Sequence, residues 1–171
     1  GRYEDALRLA DQAFREVPWL FEAKKLEGDA YFARGTELLA ALPEQGLQDI
    51  EMAGMAYRKA LSVARSDPGL YTAECRRLFS VLEFERRGGE DVKAVFEEGT
   101  AACRAALQAD SKSAEAYQML CRFYFSRGMV ENGQDIDPQG SLDEAIRMGR
   151  QALELNPGEI SAGVDLSGAI L

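Results

Sequence analysis

The sequence repeats itself with a period of 46 residues, and this periodicity constrains the fold more than any other feature. Tyr71 recurs as Tyr117, and the segment 75–80, which begins Cys-Arg, recurs as the segment 121–126. An alanine that follows an arginine by two residues occurs three times at the same spacing, as Ala60, Ala106 and Ala152. Self-similarity at such a period is typical of stacked supersecondary units, and such stacks bind partners along their surface.

The composition favours helices over strands. Ala, Leu, Glu and Arg are frequent, β-branched residues are sparse, and 46% of the residues are hydrophobic, as in an ordinary folded protein. The formal net charge is −9, whereas nucleic-acid binders usually carry a basic excess, so we expect no nucleic-acid partner. No stretch approaches the roughly 20 apolar residues of a membrane span, so we also expect no membrane partner within this sequence.

Apolar residues recur at helical spacing, and turns containing proline or glycine interrupt them. The pattern predicts helices over residues 3–16, 19–41, 47–65, 70–87, 91–109, 113–129, 141–155 and 160–171. Turns are expected at 43–46 and 87–90, with a longer loop over 131–140. Pairing the helices into hairpins predicts a single repeat array over 1–171, with a half-repeat at 1–18, repeats at 19–68, 69–112 and 113–158, and the start of a further repeat at 159–171.

Small and large residues follow one another in a fixed order within each predicted hairpin. The first helix of the third repeat carries an aromatic residue, a leucine, a small residue, a tyrosine and a glycine, which are Tyr117, Leu120, Cys121, Tyr124 and Gly128. The first repeat keeps this order in Gly28, Tyr31 and Gly35. Second helices carry small residues before a proline, as in Ala6, Ala10, Ala13 and Pro18, and again in Ala145, Gly149, Ala152 and Pro157.

This order resembles the tetratricopeptide repeat over nearly the whole chain. The resemblance implies an all-α fold, an α-solenoid of antiparallel helical hairpins that forms a superhelix, and a non-catalytic module for protein–protein interaction. The family period is about 34 residues, so the extra residues lie mainly between the two helices of a hairpin, as in 35–53 and 128–145. The middle repeat also departs from the pattern, with Leu82 where the others have glycine. HEAT-like repeats have a period in this range, but the internal proline that is usual in them is not evident in this sequence.

In the tetratricopeptide fold the first helix of each hairpin lines the concave face, which binds a peptide or a helix. Helical spacing predicts the groove residues Lys25, Asp29, Phe32, Thr72, Arg76, Phe79, Gln118, Arg122 and Phe125. Arginine forks suit carboxylates, so the expected partner is a protein or peptide with acidic residues. The alternative is that Arg76 pairs with Asp29 and the phenylalanines pack between repeats. Asp29 stands where chaperone-binding members of the family carry an asparagine, which argues against binding of a chaperone tail.

We expect no enzyme activity, no metal and no cofactor. The sequence has no histidine, and its three cysteines occupy small-residue positions that favour core packing over catalysis or zinc binding. The segment 135–140 resembles a calcium loop, but Ile146 stands where the bidentate glutamate is required. Ser141, followed three residues later by Glu144, instead predicts a surface loop that ends in the N-terminal cap of the next helix. A hydrolase or metal enzyme would need catalytic residues outside this sequence.

The segment 18–29, together with 65–68, resembles repeats attached to some bacterial serine/threonine protein kinases. That similarity implies a regulatory or scaffold portion of a signalling protein. The alternative function is a self-associating scaffold, in which the helix faces at the two ends stack on further copies. Three cysteines without a disulfide-like framework favour a reducing compartment, so cytoplasmic localisation is expected.

Overall fold

The computed structural model describes residues 1–158 and contains no β-strand among them. Its seven helices are α1 (Arg2–Glu16), α2 (Phe21–Leu38), α3 (Pro43–Val63), α4 (Pro68–Gly88), α5 (Lys93–Ala109), α6 (Ala114–Gly133) and α7 (Gln139–Leu155). The prediction of an all-α fold is confirmed, and the helix and repeat start predicted at 159–171 lie outside the described residues. Within residues 1–158 no helix is both long and apolar enough to cross a bilayer.

Three expected turns or caps are wrong in detail. Residues 43–46 form the first turn of α3, because Pro43 suits a position where the backbone N–H has no helical partner. Helix α6 continues to Gly133, so the loop before α7 is shorter than expected. Ser141 lies buried inside α7 and is not its cap, and the Asp137 carboxylate instead accepts a hydrogen bond from the backbone N–H of Gln139.

The helices pack as antiparallel hairpins, α2 with α3, α4 with α5 and α6 with α7, and α1 packs on α2. The first helices of successive hairpins also meet, α2 with α4 and α4 with α6. These three helices share one face of the stack, which we call the inner face. The extra residues of the 46-residue period lengthen both helices of a hairpin rather than forming a long loop.

Small residues at equivalent positions let the helices approach closely. Ala60, Ala106 and Ala152 each have 0% exposure, as the 46-residue period predicts. Gly28 lies against the ring of Tyr57, and Gly99 lies against the ring of Phe123. Both aromatic rings are fully buried. Each ring packs against the backbone of a glycine on the neighbouring helix, and these contacts join α2 to α3 and α5 to α6.

All three cysteines lie in the core, as expected, but Cys75 and Cys103 form a disulfide. The bond connects α4 to α5 within the middle hairpin, with a Cα–Cα distance of 5.2 Å. This corrects the expectation of a protein without a disulfide framework. Because disulfides are typical of oxidising environments, the cysteines of this chain no longer favour a reducing compartment.

Candidate peptide-binding groove

A cavity of about 650 Å³ opens on the inner face between α2, α4 and α6. It is lined by Thr36, Leu39, Ala40, Arg76, Phe79, Ser80, Glu83, Phe84, Arg87, Gly88 and Arg122. A second cavity of about 220 Å³ adjoins it, and Phe79, Glu83 and Arg122 line both. Phe125, Ser126, Met129 and Arg86 complete the second lining. The two cavities form one groove, which runs over α4 and α6.

Phe79 forms the floor of the groove where the two cavities join. Only 7% of this residue is exposed, and its ring meets the ring of Phe123 edge-on, with 5.3 Å between centroids. The guanidinium carbon of Arg122 lies 4.3 Å from the Phe79 ring centroid. This cation–π contact places the Arg122 guanidinium over the aromatic floor of the groove.

Arg76 lies on the rim of the groove and is exposed. Its guanidinium forms an ion pair with Glu115 at the start of α6, not with Asp29 as the alternative interpretation required. Both side chains are about half exposed, so water screens the pair and its contribution to stability is about 0–1 kcal/mol. A ligand carboxylate can therefore replace Glu115 at low cost.

Glu83 is the acidic side chain within the groove. It accepts two hydrogen bonds from Arg86, at 3.1 and 2.9 Å, and one from the Ser126 hydroxyl at 2.6 Å. Burial acts to raise the pKa of Glu83, but the hydrogen bonds from Arg86 and Ser126 outweigh it and hold that pKa below its ordinary value. The carboxylate is thus matched by Arg86, and Arg87 also approaches it at 4.0 Å. Arginines outnumber glutamates in the lining of the larger cavity, where Arg76, Arg87 and Arg122 stand beside Glu83.

Two of the predicted groove residues serve a contact between α2 and α3 instead. Lys25 pairs with Asp29 at 2.8 Å, and Asp29 also accepts a hydrogen bond of 2.8 Å from the buried hydroxyl of Tyr57. Burial, followed by the charge of Asp29, raises the pKa of Tyr57. Lys25 and Asp29 are absent from the lining of both cavities.

Three other predicted residues are also absent from those linings. Thr72 is buried, and its hydroxyl donates to the carbonyl of Pro68, so it is unavailable to a ligand. Phe32 packs against the core cluster around Tyr57, and Gln118 is half-buried on α6. Arg76, Phe79, Arg122 and Phe125 are the predicted residues that the fold brings together in the groove.

The half of the groove nearest the turn between α4 and α5 lies outside the set of residues predicted from the sequence. Ser80, Glu83 and Arg87 follow Arg76 at helical spacing, so continuing that stripe along α4 finds them. Leu39 and Ala40 come from the end of α2, within the residues that lengthen the repeat, and the family pattern gives no position for them. None of the described residues forms a cluster of three or more acidic or cysteine side chains that could hold a metal ion.

No protein-family model and no curated protein sequence matches the chain. The structure is similar to a solved structure described as the first TPR of Spaghetti (RPAP3) bound to HSP90 peptide SRMEEVD, with a TM-score of 0.52 and 16% sequence identity. The similarity covers 85% of this chain and 92% of that one. At this identity it establishes the fold and not the function. The described part of the chain therefore has the fold of a tetratricopeptide-like helical repeat protein.

Proposed function

We propose that the chain is a non-catalytic interaction module that binds an acidic peptide segment of a partner protein in the groove between α2, α4 and α6. The observation that carries the proposal is the position of Arg76, Arg87 and Arg122 around an aromatic floor in one cavity. Arginine forks bind carboxylates by paired, charge-assisted hydrogen bonds. The aromatic floor adds apolar contact for the side chains between the acidic residues.

The charge distribution supports an acidic ligand. The whole chain has a formal net charge of −9, yet the charged side chains that line the larger cavity are three arginines and a single glutamate. The acidic remaining surface repels acidic segments, whereas the cationic groove attracts them, so an acidic ligand is directed to this face. Phe79 and Arg122 are already packed together, so little ordering is needed when a ligand binds.

The structural neighbour is described as bound to the peptide SRMEEVD, which itself contains three acidic residues. That description supports an acidic peptide as the ligand of a chain with this fold. The asparagine position of the family's clamp is occupied here by Asp29, which is bound by Lys25 and Tyr57 and lies outside both cavity linings, so that clamp for a C-terminal carboxylate is not reproduced in the groove. We therefore propose that the ligand is an internal acidic segment. Attachment to a signalling kinase and self-association stay predictions from the sequence, and the predicted cytoplasmic localisation no longer has the support of the cysteines.

Fluorescence anisotropy with labelled peptides tests the proposal. The probes are SRMEEVD with a blocked C-terminus and a neutral counterpart with Gln and Asn in place of its acidic residues. The acidic probe should bind more tightly to the wild-type chain. Arg76→Glu with Arg122→Glu should weaken its binding by at least about tenfold, because each replaced arginine turns an attraction into a repulsion.

The matched control is Arg8→Glu with Arg150→Glu, which changes the net charge equally. Both arginines are exposed, and neither forms an ion pair within residues 1–158. This variant should bind the acidic probe as the wild type does. Equal binding of the acidic and neutral probes, or an equal loss in the control variant, would reject the groove.

A further inference from the structure

A separate cavity of about 480 Å³ lies on the edge of the stack where α4 turns into α5 and α6 turns into α7. It is lined by Gly89, Glu90, Asp91, Val92, Lys93, Phe96, Glu97, Arg127, Val130, Glu131, Gln134 and Ile136. None of these residues lines the groove on the inner face. We call this surface the extended edge.

The extended edge consists of the residues that make these repeats longer than those of the family. In the third repeat the extra residues lie within 128–145, and the corresponding stretch of the middle repeat is 82–99. Every lining residue except Arg127 falls in one of these two stretches. The cavity therefore lies mainly in the part of each repeat that contains its additional length.

The same backbone cap closes α4 and α6 beside the cavity. Gly89 and Asp135 stand at equivalent positions, and both have left-handed backbone, with φ of 75° and 57°. The N–H of the following residue, Glu90 or Ile136, then bonds back to a carbonyl of its own helix at 3.0 or 2.9 Å. These caps fix both turns, so the walls of the cavity are formed before any ligand binds.

The floor of the extended edge is apolar. Val92 and Phe96 are buried beneath it, and Val130 is half-buried beside them. Ile136 stands at the opening with 52% of its surface exposed, although the cap holds its backbone in place. An apolar side chain entering the cavity would cover Ile136 and remove this exposed surface from water.

The rim of the extended edge is acidic. Glu90, Asp91 and Glu97 are exposed and form no ion pair in the part of the chain that the structure describes. Arg127 is matched by Glu131 at 2.7 Å and stacks on Phe96 at 5.0 Å. Once the pair of Arg127 and Glu131 is set aside, the charged groups that line the cavity are Lys93 and the carboxylates of Glu90, Asp91 and Glu97.

The negative field extends beyond the cavity. On the other side of the turn between α4 and α5, Glu85 and Glu98 line a second hollow that shares Glu90 and Asp91. Burial raises the pKa of Glu85, and the negative charges of Glu90 and Asp91 raise it further. The turn is therefore a concentrated acidic surface next to an apolar opening.

We propose that the extended edge is a second docking surface, which binds a basic amphipathic segment of a protein partner. An apolar side chain of that segment enters between Phe96, Val130 and Ile136. Neighbouring lysines or arginines pair with Glu90, Asp91 and Glu97. The two docking surfaces thus select opposite charges, so one chain can hold an acidic and a basic segment at the same time. This proposal does not depend on the function of the groove.

Nuclear magnetic resonance of the isotopically labelled chain tests whether the extended edge binds a basic amphipathic segment. The probe is a blocked peptide that carries a leucine followed by two lysines, and two counterparts replace the leucine with serine or the lysines with glutamates. The first peptide should shift the methyl signals of Val92, Val130 and Ile136, and both counterparts should bind at least about tenfold more weakly. Raising the salt concentration should weaken binding further, because the paired charges are exposed.

Variants separate this surface from general attraction to an acidic protein. Glu90→Lys with Glu97→Lys should weaken binding of the leucine–lysine peptide by at least about tenfold. Glu22→Lys with Glu51→Lys has the same net charge and should leave it unchanged, since both residues are exposed elsewhere. Arg76→Glu with Arg122→Glu should also leave it unchanged, so that failure of the groove and failure of the extended edge give different results.

Three outcomes would overturn the proposal. Methyl shifts spread over the whole chain would mean that no defined surface binds the peptide. Equal binding of the peptide that has serine in place of leucine would show attraction of charge without an apolar site. Equal loss in the two glutamate-to-lysine variants would show that net charge alone controls the affinity.

Discussion

The guanidinium carbon of Arg122 on α6 lies 4.3 Å from the ring centroid of Phe79 on α4. The pair joins two neighbouring repeats at the point where the two halves of the groove meet. Phe79 is fixed in turn by the buried ring of Phe123. Packing of the two aromatic rings therefore helps to fix the position of the Arg122 guanidinium over the groove.

Replacing Arg122 with lysine tests the stacking. The charge stays, but the flat contact with Phe79 and the paired hydrogen bonds to a carboxylate are lost. The loss of one hydrogen bond to the ligand carboxylate, about 0.5–1.5 kcal/mol, predicts that the acidic peptide binds about two- to tenfold more weakly, as measured by anisotropy. Arg122→Gln, which also removes the charge, should weaken it more. Unchanged affinity of the lysine variant would mean that charge suffices without stacking.

Gly99 tests the close approach of α5 and α6. A Cβ atom at this position would lie 2.1 Å from the ring of Phe123, which is fully buried and has no room to move. Gly99→Ala should lower the free energy of unfolding by about 1–3 kcal/mol in chemical denaturation, because the core would be overpacked.

Gly140 provides the matched control for the same substitution. A Cβ atom at Gly140 in α7 would meet nothing within 4 Å. Gly140→Ala should leave stability unchanged or raise it by up to about 1 kcal/mol, because alanine favours the helix. If both alanine variants were equally stable, the packing of Phe123 on Gly99 would be wrong.

The disulfide between Cys75 and Cys103 closes a loop with a sequence separation of 28 residues. Cross-linking restricts the unfolded chain, so reduction should lower the free energy of unfolding by about 2–4 kcal/mol. Cys75→Ala with Cys103→Ala should be similarly destabilised and insensitive to reductant. Cys121→Ala should keep the response to reductant. Identical denaturation midpoints of the wild type with and without reductant would contradict the bond.

The Tyr57 hydroxyl gives a prediction for alkaline pH. Its pKa is raised in the fold, chiefly by burial, so the folded state keeps a proton that the unfolded state loses above about pH 10. Stability should therefore fall as the pH rises beyond that value. Tyr57→Phe removes this part of the fall, and it lowers stability at neutral pH by about 0.5–1.5 kcal/mol through loss of the bond to Asp29.

Denaturation midpoints measured from neutral pH to above pH 10 check the Tyr57 prediction. Tyr71→Phe is the control, since it removes a hydroxyl that donates to the carbonyl of Arg65 near the surface. The alkaline fall in that variant should match the wild type. An unaltered alkaline fall in Tyr57→Phe would show that another group causes it.

Equivalent positions in the repeat could be predicted from the sequence, because burial inside a hairpin follows from local spacing. Ala60, Ala106 and Ala152 were recognised by their shared period, and all three are fully buried. Arg76 and Arg122 were expected on one face, and both line the same cavity. The residues at 159–171 were assigned to a further repeat, and that prediction stays untested.

The groove was predicted only in part, because equivalent positions do not have equivalent neighbours. Thr72 and Gln118 are one period apart, yet Thr72 is buried and Gln118 is half-buried. The Asp29 carboxylate is bound by Lys25 and Tyr57, and the sequence pattern does not predict these contacts. The cavity at the extended edge was missed because the family pattern has no positions for the residues that build it.

The sequence by itself determined the helical hairpin as the repeating unit, the small residues at its crossings and the shared face of Arg76 and Arg122. These follow from spacing along a helix and between neighbouring helices. Only the tertiary structure decided that Cys75 bonds to Cys103 and not to its repeat equivalent, and that Arg76 meets Glu115. Such pairings depend on the angle and offset between packed helices, which a period in the sequence does not specify.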